Sequence, residues 1–114
     1  MIRVAFRKIK RGKEKRLRAW LAELMERQGE VRESFAQETV RHEQAFIIDG
    51  SDGPILVYAI EAEDLEKGRR AFEASSLPID IHHKRIMKET LSERLDVKPL
   101  YDCAVDPADT RPAK

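Results

Sequence analysis

Apolar and polar residues alternate from the start of the chain: Ile2, Val4 and Phe6 interleave with Arg3, Ala5 and Arg7. That period of two predicts a strand over residues 2–9 with one apolar face. Lys10-Arg11-Gly12-Lys13 turns the chain. From Glu14 the period becomes helical, with Leu17, Trp20, Leu21, Leu24, Met25, Val31 and Phe35 on one stripe. The stripe predicts a helix from about residue 13 to about residue 39. Glu14 with Arg18 and Glu23 with Arg27 are acid-first pairs at i,i+4, an order that supports a helix. Gly29 lies inside the stripe, costs roughly 1 kcal/mol against alanine, and marks a place for a kink or break.

His42 to Asp49 reads as a second strand, and Ala45-Phe46-Ile47-Ile48 puts apolar groups on both of its faces. Asp49-Gly50-Ser51-Asp52-Gly53 supplies hairpin-turn residues that tolerate positive φ. The run Ile55-Leu56-Val57-Tyr58-Ala59-Ile60 carries no charge, which predicts a central strand buried on both faces. Glu63 and Asp64 place acids at a helix N-terminus, where the dipole favours them. Leu65, Arg69 and Phe72 mark a short helix that ends near Ser75. Pro78 suits the first turn of a further helix, whose inner stripe reads Ile79, His83, Ile86, Met87, Thr90 and Leu91. Residues 97–105 are expected to form the last strand, entered past Pro99, and residues 106–114 a frayed tail.

The element order is β-α-β-β-α-β, an α+β, ferredoxin-like arrangement with an antiparallel sheet. Arg18-Ala19-Trp20 follows Ile9 at about the interval by which Arg70-Ala71-Phe72 follows Ile60, an echo that two related halves would leave. In this arrangement helices cover one face of the sheet. Residues 45–48 and 55–60 are apolar on both faces, and monomers rarely expose an apolar patch of that size. The expected solution is a homodimer whose sheets meet face to face as an α/β barrel.

Composition narrows the setting. At 114 residues the chain is read as one domain over residues 1–105. Charged residues make up 38% with a net charge of +1, well mixed, so nucleic acid is not an expected partner. No run approaches the ~18 apolar residues of a membrane span, and Met1-Ile2-Arg3-Val4 opens no signal segment. No membrane partner and a cytoplasmic location are expected. Cys103 is the only cysteine, which excludes an internal disulfide and fits a reducing compartment.

Three segments carry a resemblance: Arg41-His42-Glu43-Gln44-Ala45-Phe46; Leu56 through Leu65; and Ser76-Leu77-Pro78-Ile79-Asp80 with His83 and Met87. Together they resemble the dimeric α/β-barrel superfamily, which includes antibiotic-biosynthesis-monooxygenase-like proteins and sugar mutarotases. Within it the chain looks like a small bacterial family of unknown function. The resemblance covers nearly all of residues 1–105. It implies the fold and the dimer; members do unrelated chemistry, so it implies no particular activity.

The candidate chemistry has two readings at each position. His82 and His83 flank the inner stripe of the last helix; one of them facing a barrel lumen would act as general acid or base, and otherwise they cap the core. Glu43 precedes an apolar run. Inside an apolar lumen its pKa would rise toward proton-transfer range; on an edge strand it would pair with Arg3, Arg7 or Arg41. Tyr58 either binds a lumen ligand or packs in the core with its hydroxyl satisfied. Asp102 shares a strand face with Leu100 and Ala104, either paired with an arginine or at a site. Arg3 and Arg7, opposite Ile2, Val4 and Phe6, would hold an anionic substrate or form ion pairs across a dimer.

His42, His82 and His83 lack a zinc spacing, so no metal is expected, and no cofactor is called for. Cys103 reads as a small buried hydrophobe. The basic run from Lys8 to Arg18 reads as a solvated helix start. Two function classes remain. One is a small-molecule binder or enzyme with His83 and Glu43 for proton transfer and Tyr58, Arg7, Asp102 and His82 around the ligand, doing isomerase or cofactor-free oxygen chemistry. The other is a non-catalytic dimerisation or regulatory module.

Overall fold

The computed structural model describes residues 1–105. They form, in order, β1 (Ile2–Ile9), α1 (Glu14–Glu26), α2 (Gln28–Glu38), β2 (Val40–Gly50), β3 (Gly53–Ala62), α3 (Leu65–Ala74), α4 (Pro78–Thr90) and β4 (Leu91–Leu95). This is an α+β fold with a four-stranded antiparallel sheet ordered β2-β3-β1-β4. The uncharged run of β3 lies between β2 and β1, as expected of a central strand. Among the described residues no helix is long and apolar enough to cross a membrane. The tail expected over 106–114 lies outside the described residues.

Register assigns the two faces. Arg3, Ala5 and Arg7 of β1 stand opposite Ile60, Tyr58 and Leu56 of β3, which in turn stand opposite Glu43, Ala45 and Ile47 of β2. Cross-strand neighbours share a face, so these residues form one layer, and the helices pack on it. There Ile9 and Leu56 meet Leu17, Trp20, Ile79, Ile86 and Leu91 in a buried core. The opposite face carries Val4, Phe46 and Ile48, which stay 43%, 48% and 46% exposed.

The long helix expected over 13–39 is two helices, and the break falls at Arg27 rather than at Gly29. The Arg27 guanidinium bonds Glu23 of α1 at 2.8 Å and Glu30 of α2 at 2.7 Å, so one side chain clasps both helices across the joint. Met25, placed on the apolar stripe, is 68% exposed near the end of α1.

The last strand expected at 97–105 is also corrected. The strand is β4 at Leu91–Leu95, directly continuous with α4, while residues 97–105 are irregular and exposed. Leu91, counted onto the helical stripe, instead pairs with Ile9 and is buried as a strand residue. Ser92, Glu93 and Arg94 give β4 no apolar alternation. It is specified by backbone pairing with β1, a signal that hydropathy does not carry.

Two corners set the helix-to-sheet geometry. Thr39 takes φ 59°, a costly left-handed conformation for a β-branched residue. Its hydroxyl donates to the Asp64 carbonyl at 3.1 Å and accepts from the Asp64 N–H at 3.0 Å, tying the end of α2 to the start of α3. Gly68 of α3 then rests on the end of α2: a Cβ there would lie 2.5 Å from the Glu38 carbonyl oxygen. Gly68→Ala is expected to destabilise the protein by about 1–3 kcal/mol through overpacking. Gly29→Ala, where a Cβ meets nothing within 4 Å, is expected to stabilise by about 0.5–1 kcal/mol. Urea midpoints at unchanged slope measure both; a neutral Gly68→Ala removes the backbone contact as a constraint.

Candidate functional site

The helix-covered layer is solid at one end and hollow at the other. Around Ile9 and Leu56 the side chains interlock. Beyond Tyr58, toward Ile60 and Ala62, the layer opens into a cavity of about 220 Å³ between sheet and helices. Its walls are mainly apolar, with Leu24, Val31 and Phe35 on one side and Leu65 and Phe72 on the other. Arg3, Ser34, Glu38, Glu43, Tyr58, Arg69, Asp80 and His83 supply the polar groups.

A chain of three side chains separates core from cavity. The Trp20 Nε1–H donates to His83 Nδ1 at 2.8 Å. An indole nitrogen can only donate, so Nδ1 is the unprotonated nitrogen and the proton of the neutral ring sits on Nε2. That nitrogen lies 3.3 Å from the Tyr58 hydroxyl, which accepts from it. The hydroxyl's own proton is directed at Met87 Sδ, a weak acceptor 3.8 Å away. Burial pushes His83 down to about 4, against the opposing pull of Asp80. Burial, reinforced by the Glu43 carboxyl, pushes the Tyr58 phenol above its ordinary range. At neutral pH His83 is therefore an uncharged ring whose Nε2–H is directed at the Tyr58 hydroxyl. The two aromatics of the internal echo both meet it, with Trp20 and Phe72 centroids at 6.0 and 5.7 Å.

Glu43 projects from β2 into the layer beside Ile60. Among the described residues its carboxyl makes no hydrogen bond and no ion pair. The arginines proposed for it are placed otherwise. Arg41 lies 3.9 Å from Glu63. Arg7 donates to the Ser92 carbonyl at 2.7 Å, with its Nε buried and without a partner among the described residues. Arg3 lines the cavity without an ion pair among the described residues. Burial first, and the charge of Asp80 second, push Glu43 up to about 7.

Ser34, Glu38 and Asp80 are buried on the helical side. The Ser34 Oγ lies 2.9 Å from Glu38 Oε2 and 2.6 Å from Asp80 Oδ1. The Ser75 hydroxyl donates to Asp80 Oδ2 at 2.5 Å and accepts from the Leu77 N–H at 3.2 Å. Burial pushes Glu38 up to about 7, and the charges of Asp80 and Glu43 push the same way. Among the described residues no three His, Cys, Asp or Glu side chains have the mutual geometry to hold a metal ion.

A family model matches residues 2–108. The chain belongs to DUF6176, a family of unknown function. Comparison with curated proteins and with solved structures gives no match. Membership thus brings no activity to the DUF6176 chain, and its chemistry is read from the cavity.

Of the residues singled out from sequence, Glu43, Tyr58 and His83 come together in this DUF6176 cavity. They meet on the helix-covered face of one chain, not in a lumen between two sheets. His82 packs against Trp20 with the rings tilted and centroids 4.4 Å apart, and does not line the cavity. Arg7 is committed to β4, and Arg3 takes the cavity position instead. Asp102 and Cys103 lie exposed in the irregular segment after β4, so the shared strand face and the buried thiol expected there are both absent. Sequence reasoning missed Ser34, Glu38 and Asp80. The available signal was the i,i+4 spacing of Ser34 and Glu38 beside Val31 and Phe35 on the apolar stripe.

The raised carboxyl gives a pH signature. An acid whose pKa folding raises from 4.5 to about 7 binds more protons folded than unfolded between those values. Its contribution to stability therefore falls as pH climbs through that window. His83, lowered from 6.5 to about 4, contributes the opposite slope between those values. Glu43→Gln is expected to match the wild type in Tm near pH 4 and to exceed it by several degrees at pH 8. About 1 kcal/mol moves a domain of this size by roughly 4–8 °C. Thermal scans at the two pH values check this, and equal Tm values at pH 8 contradict a raised Glu43 pKa.

Proposed function

We propose that the cavity binds a small molecule with an apolar body and that Glu43 moves a proton on it. One observation carries the reading: a carboxyl without a partner among the described residues, in a mainly apolar cavity, with a pKa pushed up to about 7. A base poised near operating pH is suited to proton transfer, an effect worth roughly 10²–10⁴-fold. Tyr58 keeps its phenolic proton and, among the described residues, holds it toward no strong acceptor, so it is free to orient a carbonyl oxygen. Arg3 supplies a cation for an anionic group. A small enolisable carbonyl acid meets all three, and isomerisation by proton transfer is the reaction class. Cofactor-free oxygen chemistry would begin with the same deprotonation.

The exposed sheet face supports a second part of the proposal. A homodimer would cover Val4, Phe46 and Ile48, residues that a monomer leaves in water. Strand order β2-β3-β1-β4, with helices between the strands in sequence, supports the ferredoxin-like reading and its kinship with dimeric α/β barrels. The same face favours the runner-up function, a dimerisation module in which the cavity does no chemistry.

Phenylpyruvate combines a carboxylate, an apolar ring and an enolisable carbonyl. It is expected to raise the Tm and to be enolised faster than in buffer, with the rate lost by at least tenfold in Glu43→Gln. Absence of both effects, across this and related carbonyl acids, favours the module. Light scattering at micromolar concentration is expected to give twice the mass of the chain, and Phe46→Lys to return the monomer. A monomeric wild type overturns the dimer.

A further inference from the structure

The Ser34 hydroxyl sits between two carboxyl groups, within hydrogen-bond distance of Glu38 and of Asp80. It has one proton and can donate to only one of them. The other contact is a hydrogen bond only when that carboxyl carries a proton and donates to Ser34 Oγ. Two features say which acid holds it. Asp80 already accepts from Ser75 and stands in the first turn of α4, where the helix dipole favours a negative charge. Glu38 is the last residue of α2, where the dipole opposes one. The hydrogen bonds therefore run from Glu38 to Ser34 to Asp80, with Ser75 donating from the far side.

We propose that Glu38 holds a proton in the folded chain at neutral pH and serves as the acid of the cavity, with Glu43 as its base. The acid role rests on the function proposed above for Glu43; the proton itself rests on the Ser34 geometry. Both carboxyls belong to residues lining the same cavity. In the enolisation, Glu43 takes the proton from the carbon beside the carbonyl. The C–H electron pair forms the new C=C bond, and the C=O pair takes the Glu38 proton to become the enol hydroxyl. Glu43 ends protonated and Glu38 ionised, and exchange with water resets both. Around Glu38, the groups bearing on this proton are Ser34 of α2, Asp80 of α4, Glu43 of β2, Arg69 of α3 and Arg3 of β1. The upward push that burial gives Glu38 agrees with the assignment.

Carbon NMR of the side-chain carboxyls, titrated from pH 4 to 9, decides where the proton sits. The glutamate resonance that disappears in Glu38→Gln is expected to titrate near pH 7, distinct from the one lost in Glu43→Gln. Titration in the ordinary carboxylate range overturns the assignment. Infrared spectra at pH 6 give a second readout: the carbonyl stretch of a protonated carboxyl is expected in wild type and weaker in Glu38→Gln. The glutamine still bonds Ser34, so the fold is kept, and Tm checks it. With phenylpyruvate, Glu38→Gln is expected to lower kcat by at least tenfold at nearly constant KM. An unchanged kcat overturns the acid role. If wild type does not enolise phenylpyruvate, the acid role falls with the function proposed for Glu43, while the titration still decides the proton.

Discussion

The hydrogen bond from Trp20 to His83 is the constraint on which the rest of the site depends. A buried indole N–H left without an acceptor costs about 1–3 kcal/mol, and α4 supplies the acceptor at 2.8 Å. That bond fixes the tautomer of His83, the tautomer fixes what Tyr58 receives, and Tyr58 in turn faces the cavity. The same ring row closes the hydrophobic core at one end and floors the cavity at the other. The core and the cavity here share one set of side chains.

The polar groups beyond that row are arranged at a cost to the fold. Glu38 and Glu43 are drawn from water into surroundings that disfavour their charged forms, and among the described residues Glu43 receives no partner in return. Ordinary buried polar groups are satisfied, and the surface pairs of this chain, such as Arg69 with Glu66 and Glu73, follow ordinary practice. Strain and desolvation concentrate on the cavity side: the left-handed Thr39 directly follows Glu38. A sequence shaped for stability alone would place an apolar residue at position 43.

How much of this was legible depends on whether the signal is local. The β1 alternation, the uncharged β3 run and the Trp20 stripe are local, and they place the sheet and the core. Glu43, Tyr58 and His83 could be named because each is a polar group at an apolar position. Their meeting could not be read, since it needs the register of β2 on β3 and the seating of α4. The last strand was missed because Ser92, Glu93 and Arg94 hold their place by backbone pairing. The break at Arg27 hid because its flanking helices continue one apolar stripe. Glu38 hid for a similar reason: an acid at a helix end looks solvated until the facing Asp80 is known.

The contact of Gly68 on the Glu38 carbonyl has a consequence for how such a cavity changes over time. Where α3 rests on α2 backbone to backbone, the span between these two walls is set by main-chain atoms. Side chains that line the hollow, such as Phe35, Leu65 and Phe72, do not carry that spacing. Exchanging them would resize and reshape the interior while the frame stays where it is. The size and shape of the hollow are thus separable from the placement of α2 on α3, which a single glycine permits.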